Sequence, residues 1–432
     1  MLEDLLVPSY SKFTAGLKDS DEMNKTVDLS SHFYADQIYY QPTHGRPGVR
    51  RNVAYFLEKM LKISPNKQLC QDNLILGAGC NAVLENLVFC LADIGDAVLI
   101  PTPYYAAFEF DLVARAGVEI IPVKTEEVYY SNIDSSSALH NHKSSIVEES
   151  YYPTPESLDR AYEEALEKTG KKPRILLISH PNNPLGICFP RHVLSDCISW
   201  ARKNEIHLIS DEIYAGSVYK QSNFQSVLSA ASQNVDNENK ALGIGPYIHF
   251  VYALSKDFAS SGLRVGVAYT ENESIVLPMQ KLNDLCQISS QTQLLVERML
   301  EPNLTKDWAQ SILEENQSRL KKRSNAWTKC LDQLNIPYLK PDSGLFIWMN
   351  LSEFLPKLKA SDPEEVQKED RESALYLELM HKYGLLFTPG LSMRNLNPGF
   401  FRCVFTAATD LEFSLALDRV RIFVESKRNE NK

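Results

Sequence analysis

Short apolar runs alternate with longer amphipathic stretches along most of this chain. AVLIP (97–101), RILLIS (174–179), IHLIS (206–210) and HFVYALS (249–255) are short and aliphatic, and each is bounded by Pro, Asn, Asp or Lys, which predicts buried strands. Between them, Glu156–Thr169 and Pro190–Asn204 carry helical periodicity. That alternation requires right-handed βαβ units and a largely parallel sheet with helices on both faces. In such sheets the polar residues at the carboxyl ends of strands line the ligand crevice. Three of the runs end in polar groups: ISHPNN, ISDEIY and ALSKDF.

After about residue 300 the pattern changes. Ser311–Leu334 reads as one long helix, and GLFIWMNL (344–351) and FFRCVF (400–405) as strands, so a smaller α+β domain is expected there. The expected divisions are 1–43 as an N-terminal arm and part of the small domain, 44–300 as the large domain and 301–432 as the small one. Glu126–Glu149, Gln233–Gly245 and Lys357–Arg371 read as solvated loops, the first as a surface insertion with a lid as the alternative.

Composition narrows the function classes. The 432 residues carry a formal net charge of -10, which gives no help in binding nucleic acid or anionic membranes. No stretch reaches 18 apolar residues, and the N-terminus has no basic segment ahead of an apolar run, so neither a membrane span nor a signal peptide is expected. Eight cysteines without a C-x-x-C pair argue against a zinc site and for reduced thiols in a cytoplasmic protein. No metal is expected.

The strand ends carry the chemistry. Lys256 follows a buried strand, where an unpaired ammonium is costly unless the amine is consumed, as in a Schiff base. Arg264, eight residues on, can turn back to the same crevice, where a fixed guanidinium suits a phosphate dianion. Asp211 ends another strand with no His or Cys beside it to share a metal. Paired instead with the pyridine nitrogen of pyridoxal phosphate (PLP), it would keep that ring an electron sink. Tyr214 and Asn183 can reach the ring's phenolic oxygen. Taken singly, Asn-Pro-Leu-Gly is a turn, a strand-end Asp a helix cap and Ser-Lys a surface pair; their joint order is what points to a site.

These residues resemble a known family. LADIGDAVLIPTPYYAAFEFDL, ISHPNNPLG, SDEIY, ALSKDFASSGLRVG and FFRCVF are similar to segments of fold-type I PLP enzymes of the class I/II aminotransferases, most of all to the branch of 1-aminocyclopropane-1-carboxylate (ACC) synthases and their relatives. The spacings agree: 28 residues from Asn183 to Asp211 and eight from Lys256 to Arg264. The likeness covers roughly residues 40 to 425. It implies an α/β large domain with a mostly parallel seven-stranded sheet flanked by helices, a smaller α+β C-terminal domain, PLP as cofactor, and a homodimer acting on an amino acid and a 2-oxo acid. Lys256 would carry the cofactor as a Schiff base and shuttle the α-proton, with Asp211 on the ring nitrogen. Asn183 and Tyr214 would hold the phenolic oxygen, Tyr105 would stack on the ring, Ser255 would contact the cofactor and Arg264 would bind its phosphate. Gly79-Cys80-Asn81 would cradle that phosphate with backbone N–H groups. Arg402 would grip the substrate carboxylate as a bidentate fork.

Departures separate the possible reactions. Ala253 stands where the family usually has a serine, Cys80-Asn81 replace small hydroxyl residues, and the N-terminal Glu-Asn motif of ACC synthases has no clear counterpart. Within YYQPTHGRPG, ACC synthases have a tyrosine two residues before the first glycine, where this chain has Thr43. Aminotransferases have one five residues before it, where Tyr40 sits and would reach the neighbouring subunit's site. The expected reaction is therefore amino-group transfer. The alternatives are a lyase (γ-elimination on S-adenosylmethionine or carbon–sulfur β-elimination) and a non-catalytic PLP-binding relative.

Overall fold

The computed structural model describes residues 39–131, 146–220, 224–232, 243–302, 308–357 and 364–430. The strands in chain order are β1 (Leu74–Ala78), β2 (Ala97–Pro101), β3 (Glu119–Val123), β4 (Ile175–Ser179), β5 (His207–Asp211), β6 (Ile248–Ala253), β7 (Val265–Thr270), β8 (Phe346–Asn350), β9 (Thr388–Pro389) and β10 (Phe400–Val404). The first seven form one sheet in the order β1-β7-β6-β5-β4-β2-β3. Only β7 runs against its neighbours, pairing antiparallel with both β1 and β6; β2, β3, β4, β5 and β6 are parallel.

Each central strand is buried on both faces, as a sheet covered by crossover helices requires. Alternate residues divide between two cores. Leu176 and Ile178 of β4 pack with the layer that includes helix Pro47–Met60, whereas Ile175 and Leu177 pack with helix Cys80–Leu91. The second sheet, β8-β10-β9, is antiparallel and gathers a separate core with helices Trp308–Gln333, Glu364–Tyr383 and Asp410–Glu430. The first turn of the long helix reaches back to the large sheet's layer, where Trp308 stacks on Phe258 at 6.2 Å.

Three expectations need correction. β6 stops at Ala253, and Leu254–Asp257 form one helical turn instead of continuing the strand. The expected loop 126–149 begins as helix, because Thr125–Ser131 are helical with Glu126 buried; residues 132–145 lie outside the described residues. The expected loop 357–371 gives way to helix from Glu364; 358–363 also lie outside the described residues. Of the third loop, 233–242 lie outside them, as do residues 1–38 of the expected arm. Among the described residues no helix is long and apolar enough to cross a membrane.

Candidate active site

The antiparallel turn of β7 builds the site. β1, β2, β4, β5 and β6 all point the same way, so their carboxyl ends lie on one edge of the sheet, and β7 starts from that edge. The β6–β7 connection therefore begins and ends there, bringing Lys256 and Arg264 to the edge that already holds Gly79, Tyr105, Asn183 and Asp211.

Asp211 is buried, and one carboxylate oxygen accepts the Ile213 N–H at 3.2 Å and the Cys80 thiol at 3.7 Å. Burial pushes its pKa up to about 6, with the nearby Lys256 ammonium pulling the other way. Its second oxygen, Oδ2, makes no hydrogen bond among the described residues, which leaves an acceptor open to a cationic ring nitrogen. Lys256 is half-buried and makes no ion pair or hydrogen bond among the described residues. Next to Asp211, Glu212 is fully buried, accepting the Val227 N–H at 2.7 Å and the Ser210 hydroxyl at 3.0 Å. Burial lifts its pKa to about 8, which disfavours a second negative charge beside Asp211.

Tyr214 is buried, with its hydroxyl unbonded among the described residues and its ring edge-on to Phe346 at 5.1 Å. Burial, and after it the charge of Asp211, raise its pKa. Tyr105 is half-buried; desolvation raises its pKa, and Arg402 and Asp211 are both near enough to act on it. Arg402 donates to the Asn183 side-chain oxygen at 2.7 Å and to the Thr388 hydroxyl at 3.1 Å, with its carbon 5.0 Å from the centre of the Phe346 ring. No carboxylate pairs with it among the described residues, its buried Nε is without a partner, and burial lowers its pKa. Even half-buried, a guanidinium lacking an anion is costly, and a substrate carboxylate would supply one.

The phosphate corner is a close-packed backbone junction. Gly79, at φ +93°, precedes helix Cys80–Leu91, and a methyl placed on it would lie 2.3 Å from the Arg264 guanidinium. One on Gly266 would lie 2.4 Å from the Gly79 carbonyl. Both glycines let two backbone segments meet beside the guanidinium, which donates to Ala78 and Ser261 carbonyls at 3.3 and 3.2 Å. Together with the free N–H groups of the helix start, this fits a phosphate. Asn81, also in the turn, points to Asp111 at 2.7 Å. Ser255 is buried and Ala253 offers no hydroxyl. Tyr40, with 96% of its surface exposed, is not gathered into this site. Thr43 donates its hydroxyl to the Gln280 carbonyl at 2.6 Å.

The sequence profile for aminotransferases of class I and II matches residues 37–420. The chain belongs to that family. It is 34% identical over 412 residues to 1-aminocyclopropane-1-carboxylate synthase 11 of Arabidopsis thaliana, covering 95% of this chain and 78% of the relative. With 1-aminocyclopropane-1-carboxylate synthase 1 of Prunus mume it shares 35% over 389 residues, covering 89% and 70%. In fold it is similar to an aspartate aminotransferase from Thermus thermophilus crystallised with maleate (TM-score 0.68, 20% identity, covering 91% of this chain and 85% of that one). The aromatic aminotransferase of Pyrococcus horikoshii gives a TM-score of 0.70 at 18% identity, covering 90% and 88%. The chain is thus a fold-type I enzyme near the ACC synthases, a PLP-dependent transaminase or a closely related lyase, and PLP is the cofactor expected of it. The residues at the strand edge fit PLP: an open carboxylate oxygen, an unpaired amine, a free phenol and a glycine junction against a guanidinium.

The sequence missed Asp257. It is buried and accepts hydrogen bonds from the Gly216 N–H, the Ser217 hydroxyl and the Tyr252 hydroxyl. In the sequence only its place directly after the candidate lysine marks it; its burial and its partners are visible in the structure alone. A separate hollow of about 390 Å³, lined among others by Asp96, Lys171 and Arg174, opens beside the start of β2 and β4, at the other end of the strands. Lys171 is paired with Asp96 at 3.0 Å and Arg174 is held by the Leu91 carbonyl at 2.9 Å, so the hollow offers no comparable set of open groups.

Proposed function

We propose that this chain is an aminotransferase that moves the amino group of an α-amino acid to a 2-oxo acid. The observation that carries it is the half-buried Arg402 guanidinium, anionless among the described residues and bonded to Asn183, in the same crevice as Lys256 and Asp211. PLP, when bound, accepts the electron pair left at the substrate's α-carbon and carries the amino group between the two acids. Lys256 holds the cofactor through its amine and then, freed, takes and returns the proton at the α-carbon. Asp211 keeps the ring nitrogen protonated. Asn183 and Tyr214 donate to the phenolic oxygen, Tyr105 covers the ring face, and Gly79, Cys80, Asn81, Ser255 and Arg264 take the phosphate. Arg402 orients the substrate by its carboxylate, so that the Cα–H bond faces the lysine. In a homodimer, the exposed Tyr40 would complete the neighbouring site.

Thr43 supports transfer over ring closure, since its hydroxyl is already donated to Gln280 and it brings no phenol. The second reading, elimination of a β- or γ-leaving group, is favoured by the ACC synthases among the relatives. One experiment separates them. The PLP-loaded protein is mixed with a panel of amino acids and with S-adenosylmethionine, and the cofactor spectrum and product masses are followed. Transfer gives 2-oxo acids and the amine form of the cofactor. Methylthioadenosine, or a thiol released from a cysteine conjugate, would establish elimination instead.

A further inference from the structure

The amine of Lys256 has to serve two positions, the cofactor and the substrate's α-carbon, and its backbone sits on a single helical turn, Leu254–Asp257. One turn has too few internal hydrogen bonds to hold itself. What fixes it is its last residue. The Asp257 carboxylate accepts the Gly216 N–H at 2.8 Å and the Tyr252 hydroxyl at 2.9 Å on one oxygen, and the Ser217 hydroxyl at 2.5 Å on the other. No cation neutralises it among the described residues; it is held by these dipoles alone. Gly216 and Ser217 belong to the turn that begins with Tyr214, where the Ser217 N–H bonds the Tyr214 carbonyl at 2.9 Å. A methyl on Gly216 would lie 2.6 Å from Asp257 Oδ2, so the contact requires glycine there.

The clamp has a third side. Asn316 and Gln317, adjacent on the long helix Trp308–Gln333, donate to the Asp257 carbonyl at 3.3 Å and to the Gly216 carbonyl at 2.9 Å. That helix runs on into the core of the second sheet. The Ser217 carbonyl also accepts the Gly344 N–H at 3.0 Å, on the approach to β8 and Phe346. The lysine turn, the tyrosine turn and the element leading to the second sheet therefore meet at one carboxylate.

We propose that Asp257 is a positioning residue that sets the Lys256 amine against the Tyr214 hydroxyl, with Asn316 and Gln317 tying that setting to the long helix. The proposal rests on the function assigned above to Lys256. Its chemistry is a matter of tenths of an ångström: releasing the carboxylate lets the lysine turn and the tyrosine turn drift apart, and small misplacements of reacting groups cost orders of magnitude in rate.

The test uses Asp257→Asn, Ser217→Ala, Tyr252→Phe and Asn316→Ala beside the unaltered protein. Two readouts do not depend on turnover. The first is the pH midpoint of the absorption change of the lysine-bound cofactor. The second is the rate at which the cofactor-free protein captures PLP covalently. Asp257→Asn is expected to move the midpoint by about half a pH unit or more and to slow capture about tenfold. The three milder variants should shift both readouts in the same direction by less, and they carry the test if Asp257→Asn does not fold. Unchanged midpoints and capture rates in variants with a lowered unfolding temperature would overturn the proposal, leaving Asp257 a structural residue. If the unaltered protein itself captures no PLP, the proposed function fails first and this inference with it; capture by the unaltered protein with unmoved variants sinks the inference alone.

Discussion

Replacing Asp211 with Asn should stabilise the cofactor-free protein while crippling the loaded one. In the folded chain burial lifts this carboxyl from an ordinary value of 3.8 to about 6. A folded-state pKa raised above the unfolded one means that the unfolded chain gives up its proton more readily. Stability is then unaffected by this group below about pH 4 and is lost as pH rises towards and through 6. The full loss is about 3 kcal/mol at pH 7.5, roughly half of it already present at pH 5. Asn has the same shape and can keep the Ile213 N–H and Cys80 contacts, but it does not ionise. It introduces one unpartnered N–H₂ group at a cost of about 1 to 2 kcal/mol at every pH. The net expectation for the cofactor-free variant is a gain of about 1 to 2 kcal/mol at pH 7.5 that shrinks to nothing near pH 5. Unfolding midpoints of both proteins at the two pH values measure this, and groups that titrate alike in both cancel in the difference. Loaded with PLP the order reverses, since a pyridinium close to the carboxylate gains about 4 kcal/mol at an effective dielectric constant near 20. The corresponding loss of turnover is about a thousandfold. A difference in stability that does not change with pH, or a loaded variant with turnover near that of the unaltered protein, would refute this reasoning.

The other predictions follow from the same geometry. Lys256→Ala should abolish turnover, measured as product formation from any amino acid that the unaltered protein converts, because the proton at the α-carbon then has no amine to receive it. Arg402→Ala should raise KM for the amino acid a hundredfold or so with a smaller fall in kcat, since it removes a charge-assisted fork that grips the carboxylate before and during reaction. Gly266→Ala should destabilise the fold by about 2 kcal/mol or more and weaken PLP binding, read by urea unfolding and cofactor titration, because its methyl would meet the Gly79 carbonyl at 2.4 Å.

Where a strand end and a polar residue coincide, the sequence was explicit: Asn183 after β4, Asp211 at the end of β5 and Lys256 just past β6 all arrive at one edge of the sheet. Three strands of the large sheet escaped notice for local reasons. β1 (LILGA) and β7 (VGVAYT) contain glycine, and β3 (EIIPV) contains proline on the sheet's outermost strand, where a missing N–H is tolerated. Missing β7 hid the physical reason that Lys256 and Arg264 converge, which is a reversal of direction and not merely a short spacing. Glu126 read as part of a solvated loop because its neighbours are polar, yet it is buried, with its pKa lifted by desolvation to about 7. Asp257 escaped because two of its three side-chain partners, Gly216 and Ser217, are 40 or more residues away in sequence. Contacts made only by tertiary packing leave no local pattern.

The central claim is that Lys256 is the residue to which PLP attaches. Reducing the loaded protein with borohydride, digesting it and sequencing the modified peptide by mass spectrometry tests it most directly. The account predicts one phosphopyridoxyl group per chain, on Lys256 within ALSKDF; a modification on another lysine, or none on a protein that retains its cofactor's absorption, would contradict it.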